Sequence, residues 1–243
     1  MPDINYHGPV IAFDLDDTLF RERDFCRSGF RFLCNPQKYK IDGLSTIPDS
    51  KSLRELYEIM DLELSGRRNP FTPFEEFFMP RVLNDGAEWD LQKHIQAYRG
   101  HKPEGICLSE EIHDMLEGLS SRGYRMALVT DGRSVTQRRK IEALGIKRFI
   151  PDELIFISEE TGHDKHSKEM FASIVRHFPE ASGFFYIADN PEKDFYHPNL
   201  MGWTTMQVPY NSDNVHPEKD PPSEIHAPQI KLENYLSVLQ LIH

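Results

Sequence analysis

The residues best placed to do chemistry are Asp14, Asp16 and Asp17, which follow directly on the apolar run Val10-Ile11-Ala12-Phe13. A continuous apolar run of this length, ending in polar residues, reads as a buried parallel strand. Ligands in open α/β sheets bind just beyond the carboxyl ends of the strands. Asp14 and Asp16 lie two apart, so in an extended chain both side chains point to one face. Two close carboxylates stay ionised at neutral pH only with a cation between them, and hard oxygen ligands suit magnesium. An acidic turn after a strand is the plain alternative, because Asp is common in turns.

Further chemistry-bearing residues stand at other predicted strand ends. Thr130 closes Met126–Thr130 and is followed by Asp131-Gly132. Asp189 closes Phe184–Ala188, with Asp194 five residues on. Lys165 falls in a loop before a helix, and Lys168 is its rival three residues later. Four acids, a hydroxyl and an ammonium at one sheet edge suit phosphoryl transfer through a covalent aspartyl phosphate. One carboxylate attacks, a second carboxyl moves protons, and donors hold the phosphate oxygens.

The elements that must position these groups read as follows. Strands are expected at 10–13, 126–130, 154–157, 184–188 and 204–208. Between them run helices striped by Ile112, Met115, Leu116 and Leu119, and by Met170, Phe171, Ile174 and Val175. Ser134 and Gln137 read as a capping-box pair opening another helix. Residues 210–229, rich in Pro, Asp and Asn, read as loop. Ile230, Leu232, Leu236 and Leu239 suggest a last amphipathic helix. Strands alternating with helices predict an α/β fold, a doubly wound parallel sheet.

Residues from about 20 to 102 break that alternation with helical spacing alone. Leu53, Leu56, Tyr57 and Met60 share one helix face. Thr72-Pro73-Phe74-Glu75 reads as a capping box with proline at the first helical position, and Phe74, Phe77 and Phe78 as a buried stripe. Trp89, Ile95 and Tyr98 suggest one more helix. This block is expected to be an inserted helical domain, 21–102, between core segments 1–20 and 103–243.

The chain of 243 residues carries a formal net charge of −11, which argues against nucleic acid as a partner, since phosphates need a basic face. No signal-like N-terminal pattern or membrane-length apolar run is present. Three cysteines, Cys26, Cys34 and Cys107, without CxxC spacing fit a reducing cytoplasm and no structural zinc.

Four ordered motifs carry a resemblance to the haloacid dehalogenase superfamily: Asp14-Leu15-Asp16-Asp17-Thr18, then Thr130 within Leu128–Gly132, then Lys165 with Phe171 six residues on, then Asp189 through Asp194. The block after the first motif resembles the helical cap of that superfamily's phosphatases, most nearly the nucleotidase and acylneuraminate-9-phosphatase type. The resemblance implies that Asp14 is the nucleophile and Asp16 the acid–base residue. It implies a magnesium ion held by Asp14, the backbone carbonyl of Asp16, Asp189 and Asp194, and phosphate held by Thr130, the backbone of Asp131, and Lys165. Arg21, Arg23, Arg99 and His101 are candidates to meet an anionic substrate, with Arg21 and Arg99 foremost. The sequence departs from the pattern at Ala188, where glycine is usual, and at His166, where proline is usual. The expected activity is magnesium-dependent hydrolysis of a small phosphate ester such as a sugar phosphate or nucleotide. A phosphomutase, or a non-catalytic binding protein on the same scaffold, is the alternative.

Overall fold

The computed structural model describes residues 2–242. It divides into two compact units, Met1–Arg21 with Cys107–His243, and Glu22–Ile106.

The first unit is built on six parallel strands: β1 (Pro9–Phe13), β2 (Arg125–Thr130), β3 (Ile155–Ile157), β4 (Gly183–Ala188), β5 (Thr204–Gln207) and β6 (Ile230–Lys231). Their order is β3-β2-β1-β4-β5-β6. The chain steps outward from β1 through β2 to β3, then returns to the other side of β1 with β4. That reversal beside β1 is where an open α/β sheet forms a crevice. Every residue of β1 is buried, as expected for a strand covered on both faces. Pro9 is tolerated because it is the strand's first residue. Each buried Ile, Val or Phe of these strands contributes roughly 1.5–3 kcal/mol of transfer free energy.

The connecting helices are α5 (Glu110–Ser121), α6 (Ser134–Ala143), the one-turn α7 (Ser158–Thr161), α8 (Lys168–His177) and α9 (Tyr196–Leu200). α5 begins at Ser109, whose hydroxyl accepts from the backbone N–H of Ile112, and buries the stripe Ile112, Met115, Leu116 and Leu119. α8 is capped by Ser167 and buries Met170, Phe171 and Ile174.

Two local expectations for this unit are corrected. The last stretch is not one amphipathic helix. Ile230–Lys231 pairs with β5, and the Leu232 N–H donates to Gln207 O at 2.8 Å. Only a 3-10 turn at Tyr235–Ser237 and α10 (Val238–Leu241) follow. The open edge of β5 offered these residues backbone partners, and that outweighed an i, i+4 leucine pattern. Nor do Ser134 and Gln137 form a capping box, because Arg133 stands at the N-cap without a side-chain bond. Glu159 accepts from the Ser134 N–H at 2.8 Å and Glu160 from its hydroxyl at 2.5 Å, which leaves Gln137 for another task.

The second unit is all helical: α1 (Glu22–Leu33), α2 (Ser50–Ser65), α3 (Phe71–Asn84) and α4 (Leu91–Gly100). Its core gathers Phe25, Phe30 and Leu33 with Leu53, Leu56, Met60, Phe74, Phe78 and Val82. Gly29 lets α1 and α4 touch, since a Cβ there would lie 2.3 Å from the Tyr98 ring. The predicted box at Thr72 is also corrected. α3 starts two residues earlier, at Phe71, with Pro70 at its N-cap and no side-chain bond there, while the Phe71 N–H donates to Asn69 Oδ1 at 3.0 Å. Phe77 is only half-buried, with the Arg81 guanidinium 3.9 Å from its ring centre. No helix among the described residues is long and apolar enough to cross a membrane.

Candidate active site

β1 and β4 are neighbours in register, Phe13 opposite Ile187, so Asp14 and Asp189 emerge at the same sheet edge. The Asp14 N–H still donates to Ile187 O at 2.9 Å, continuing the ladder for one more residue. Beyond it the chain turns sharply. The Leu19 N–H bonds Leu15 O at 2.9 Å, and Asp17 takes a left-handed φ of 57°. Asp tolerates that conformation better than most residues. Asp17 also accepts from the Val215 N–H at 3.2 Å, which ties the loop after β5 to this turn.

The turn brings Thr18 back under Asp14, and its hydroxyl donates to Asp14 Oδ2 at 3.0 Å. The Lys165 ammonium donates to Asp14 Oδ1 and, at 2.8 Å, to Asp194 Oδ1. Asp194 Oδ2 accepts from the Asn190 N–H at 3.0 Å. Lys165 reaches this position because Asp131 accepts from its backbone N–H at 3.1 Å, joining the loop after β2 to the loop before α8. Lys165 is buried, whereas Lys168, the first residue of α8, is exposed, so the structure brings only Lys165 to the carboxylates. Ala188 ends β4 and has no positive φ, so a glycine is not required there.

Asp14, Asp189 and Asp194 each place a carboxylate oxygen within 4.8 Å of the other two. Burial, reinforced by the charges of Asp194 and Asp14, pushes the Asp189 carboxyl up to about 9. Burial likewise raises Asp194 against the pull of Lys165. Burial alone would favour a neutral Lys165, yet the charges of Asp14 and Asp194 hold its ammonium well above the usual lysine range. Three carboxylates this close ionise together only with positive charge among them, and an all-oxygen set suits a hard divalent cation. The donor set therefore fits magnesium.

The Asp16 carboxylate lies outside that cluster. Gln137 Nε2 donates to Asp16 Oδ2 at 2.9 Å and to Thr130 Oγ1 at 2.6 Å, and Lys140 Nζ donates to Asp16 Oδ1 at 2.6 Å. Sequence reasoning missed both residues. Their signal was available: positions 137 and 140 lie three apart, on one helix face, just after the Thr130 strand.

The arginines and histidine proposed for substrate contact are placed as follows. Arg21 pairs with Asp213 at 3.3 Å, both about half exposed. Arg23 and Arg99 are half-buried on α1 and α4. His101 is packed inside the helical unit, with Nδ1 2.5 Å from Tyr98 O and Nε2 3.2 Å from Ser28 Oγ, and it stacks on Phe32 and Tyr98.

Comparison with known proteins identifies the family and the fold. The glyceraldehyde 3-phosphate phosphatase of Methanopyrus kandleri is 26% identical over 238 residues, spanning 92% of this chain and 95% of the relative. The ribulose-1,5-bisphosphate 5-phosphatase of Halopiger xanaduensis is 30% identical over 205 residues, spanning 81% and 83%. Among solved structures, the HAD-hydrolase YfnB of Bacillus subtilis, bound to magnesium, superposes with a TM-score of 0.59 at 21% identity over 97% of this chain and 98% of that one. The sequence profile of haloacid dehalogenase-like hydrolases matches residues 11–207, and the chain belongs to that family.

Proposed function

We propose that the chain is a magnesium-dependent phosphatase of small sugar phosphates, acting through an aspartyl phosphate on Asp14. The observation that carries this reading is the arrangement of Asp14. Its carboxylate stands at the β1 end, oriented by Thr18 and neutralised by the buried Lys165, within the carboxylate trio. A carboxylate held in one orientation, with its charge balanced, is prepared to approach an anionic phosphate.

In this reading an Asp14 oxygen attacks phosphorus and the bond to the sugar oxygen breaks. Asp16 gives its proton to the departing alkoxide. Asp16 then takes a proton from water as that water attacks phosphorus, which releases inorganic phosphate and restores Asp14. Lys165 and Thr130 donate to the phosphate oxygens throughout. Magnesium, held by Asp14, Asp189, Asp194 and the Asp16 carbonyl, would screen the repulsion between carboxylate and phosphate.

The substrate class is supported by the two relatives whose names specify phosphorylated sugars. The helical unit is proposed as a cap that selects the organic part of the substrate, with its Arg99, and Arg21 at the end of the core segment, as the proposed contacts. A substrate anion would take over the Asp213 pairing of Arg21.

The test is a panel of glyceraldehyde 3-phosphate, ribulose 1,5-bisphosphate and nucleoside monophosphates, incubated with magnesium or with chelator. Phosphate release from the sugar esters is expected with magnesium alone. Asp14→Asn should hold the fold and lose activity by several orders of magnitude. A variant that keeps a tenth of the wild-type rate removes Asp14 from the nucleophile's role.

A further inference from the structure

The site contains two polar residues that the reaction as written does not use, Gln137 and Lys140. Both lie on α6 (Ser134–Ala143) and are buried, 1% and 2% exposed. Spaced three apart, they share a helix face, and both meet Asp16. Burying an ammonium costs several kcal/mol unless it is paired, and an apolar residue would pack α6 at lower cost. A purely structural reading therefore explains their place on the helix poorly.

The hydrogen-bond chemistry explains it better. Gln137 Nε2 carries two hydrogens and uses them on two different acceptors, Asp16 Oδ2 and Thr130 Oγ1. Because the Thr130 hydroxyl accepts from Gln137, its own hydrogen is left to donate elsewhere. One amide thus sets the distance between the group read as acid–base and the hydroxyl read as phosphate ligand. Lys140 holds the other Asp16 oxygen and prevents the carboxylate from rotating about its Cβ–Cγ bond. Asp16 belongs to a turn beyond the sheet edge, whereas Thr130 belongs to β2, so the turn's own backbone does not set that spacing. The cradle leaves little slack: a Cβ on Gly132 would lie 3.2 Å from Gln137 Cγ and Cδ.

We propose that Gln137 and Lys140 are positioning residues for Asp16, fixing its carboxyl relative to Thr130 so that it meets the leaving oxygen. The proposal rests on the reading of Asp16 as the acid–base residue. Misplacing a reacting group by about 1 Å can cost on the order of 100-fold in rate. The cost falls where a proton is needed, so it should depend on the leaving group.

The experiment compares kcat/KM, which reports the first chemical step, for glyceraldehyde 3-phosphate and for 4-nitrophenyl phosphate, with magnesium present. The sugar alkoxide needs a proton to leave and nitrophenolate does not. Asp16→Asn, Gln137→Met, Lys140→Met and Lys140→Arg are measured together. Gln137→Met and Lys140→Met should lower kcat/KM on the sugar ester about tenfold or more, and on the aryl ester by less than about threefold. Lys140→Arg should recover part of the loss, and neither Met variant should add to Asp16→Asn. Equal losses on both esters, or losses that add fully to Asp16→Asn, overturn the proposal, because a merely structural role would behave that way. If Lys140→Met does not fold, Gln137→Met decides alone, since it removes no charge. If Asp16→Asn itself loses equally on both esters, the acid–base reading of Asp16 fails and the proposal falls with it. If Asp16→Asn discriminates and the Met variants do not, the positioning proposal alone is wrong.

Discussion

Lys165 Nζ lies 2.8 Å from Asp194 Oδ1, and both side chains are sealed from solvent, at 1% and 0% exposure. The same ammonium also meets Asp14, 151 positions away from Lys165 in the chain. It hydrogen-bonds two carboxylates of the trio directly, and Lys193 adds its charge to Asp194, so the nucleophile's charge is held in balance.

Lys165→Met should therefore be costly twice. Breaking a buried pair by removing one partner costs about 3–5 kcal/mol, because the other charges stay buried and uncompensated. Denaturant unfolding should show that loss, and added magnesium should recover more stability in the variant than in the wild type. Hydrolysis should fall by roughly 100- to 1,000-fold through the lost phosphate donor. Unchanged stability in metal-free buffer would show that the ammonium is not what balances Asp14 and Asp194.

Asp189→Asn probes the metal set. It keeps the shape but removes one anionic oxygen from the trio. Magnesium titration by calorimetry should show affinity weakened by about tenfold or more, in line with loss of a carboxylate ligand. Equal affinity in variant and wild type would place the cation elsewhere.

Gly132→Ala tests the turn that packs over Gln137. Gly132 has a φ of 141°, where a side chain is strained, and the new Cβ would press on Gln137. A cost of about 1–3 kcal/mol is expected from such backbone strain, measurable by thermal unfolding. Turnover of the sugar ester should fall more than that of the aryl ester, as for Gln137→Met. Wild-type stability and turnover would mean that the cradle yields freely.

A pH effect is expected in the helical unit. His94 is 4% exposed, its Nδ1 lies 2.6 Å from the Tyr39 hydroxyl, and its ring stacks on Trp89 with centroids 4.4 Å apart. Burial, helped by the charge of Lys93, lowers its pKa below the ordinary 6.5. The unfolded chain therefore binds this proton more readily than the folded one. The stability that neutral His94 contributes is fully present above pH 6.5 and is lost as pH falls through its lowered folded value. In a Trp203→Phe background Trp89 is the sole tryptophan, and its fluorescence should report His94 protonation with a midpoint below 6.5. A midpoint at or above that value would contradict the buried, neutral ring.

Much of this molecule was legible in one dimension. Fully buried parallel strands are continuous apolar runs, so β1, β2 and β4 announce themselves, and the acids and the threonine that end them are read off at the same time. The helical character of the block expected at 21–102 is equally plain, because a change of hydrophobic period needs only local information, and helices run there from Glu22 to Gly100. What the chain alone left open was settled by groups distant in sequence. Lys165 and Lys168 are alike as residues, and the backbone bond to Asp131 is what turns one of them inward. Gln137 looked like a helix cap until Glu159 and Glu160 satisfied Ser134 and left the amide for Asp16 and Thr130. Ile230–Lys231 became a strand because β5 had an open edge for it. Hydrophobic periodicity reports which face of an element is buried. The partner of a polar hydrogen, or of an unpaired strand edge, is decided by whatever the fold brings within 3 Å of it, and no local pattern encodes that.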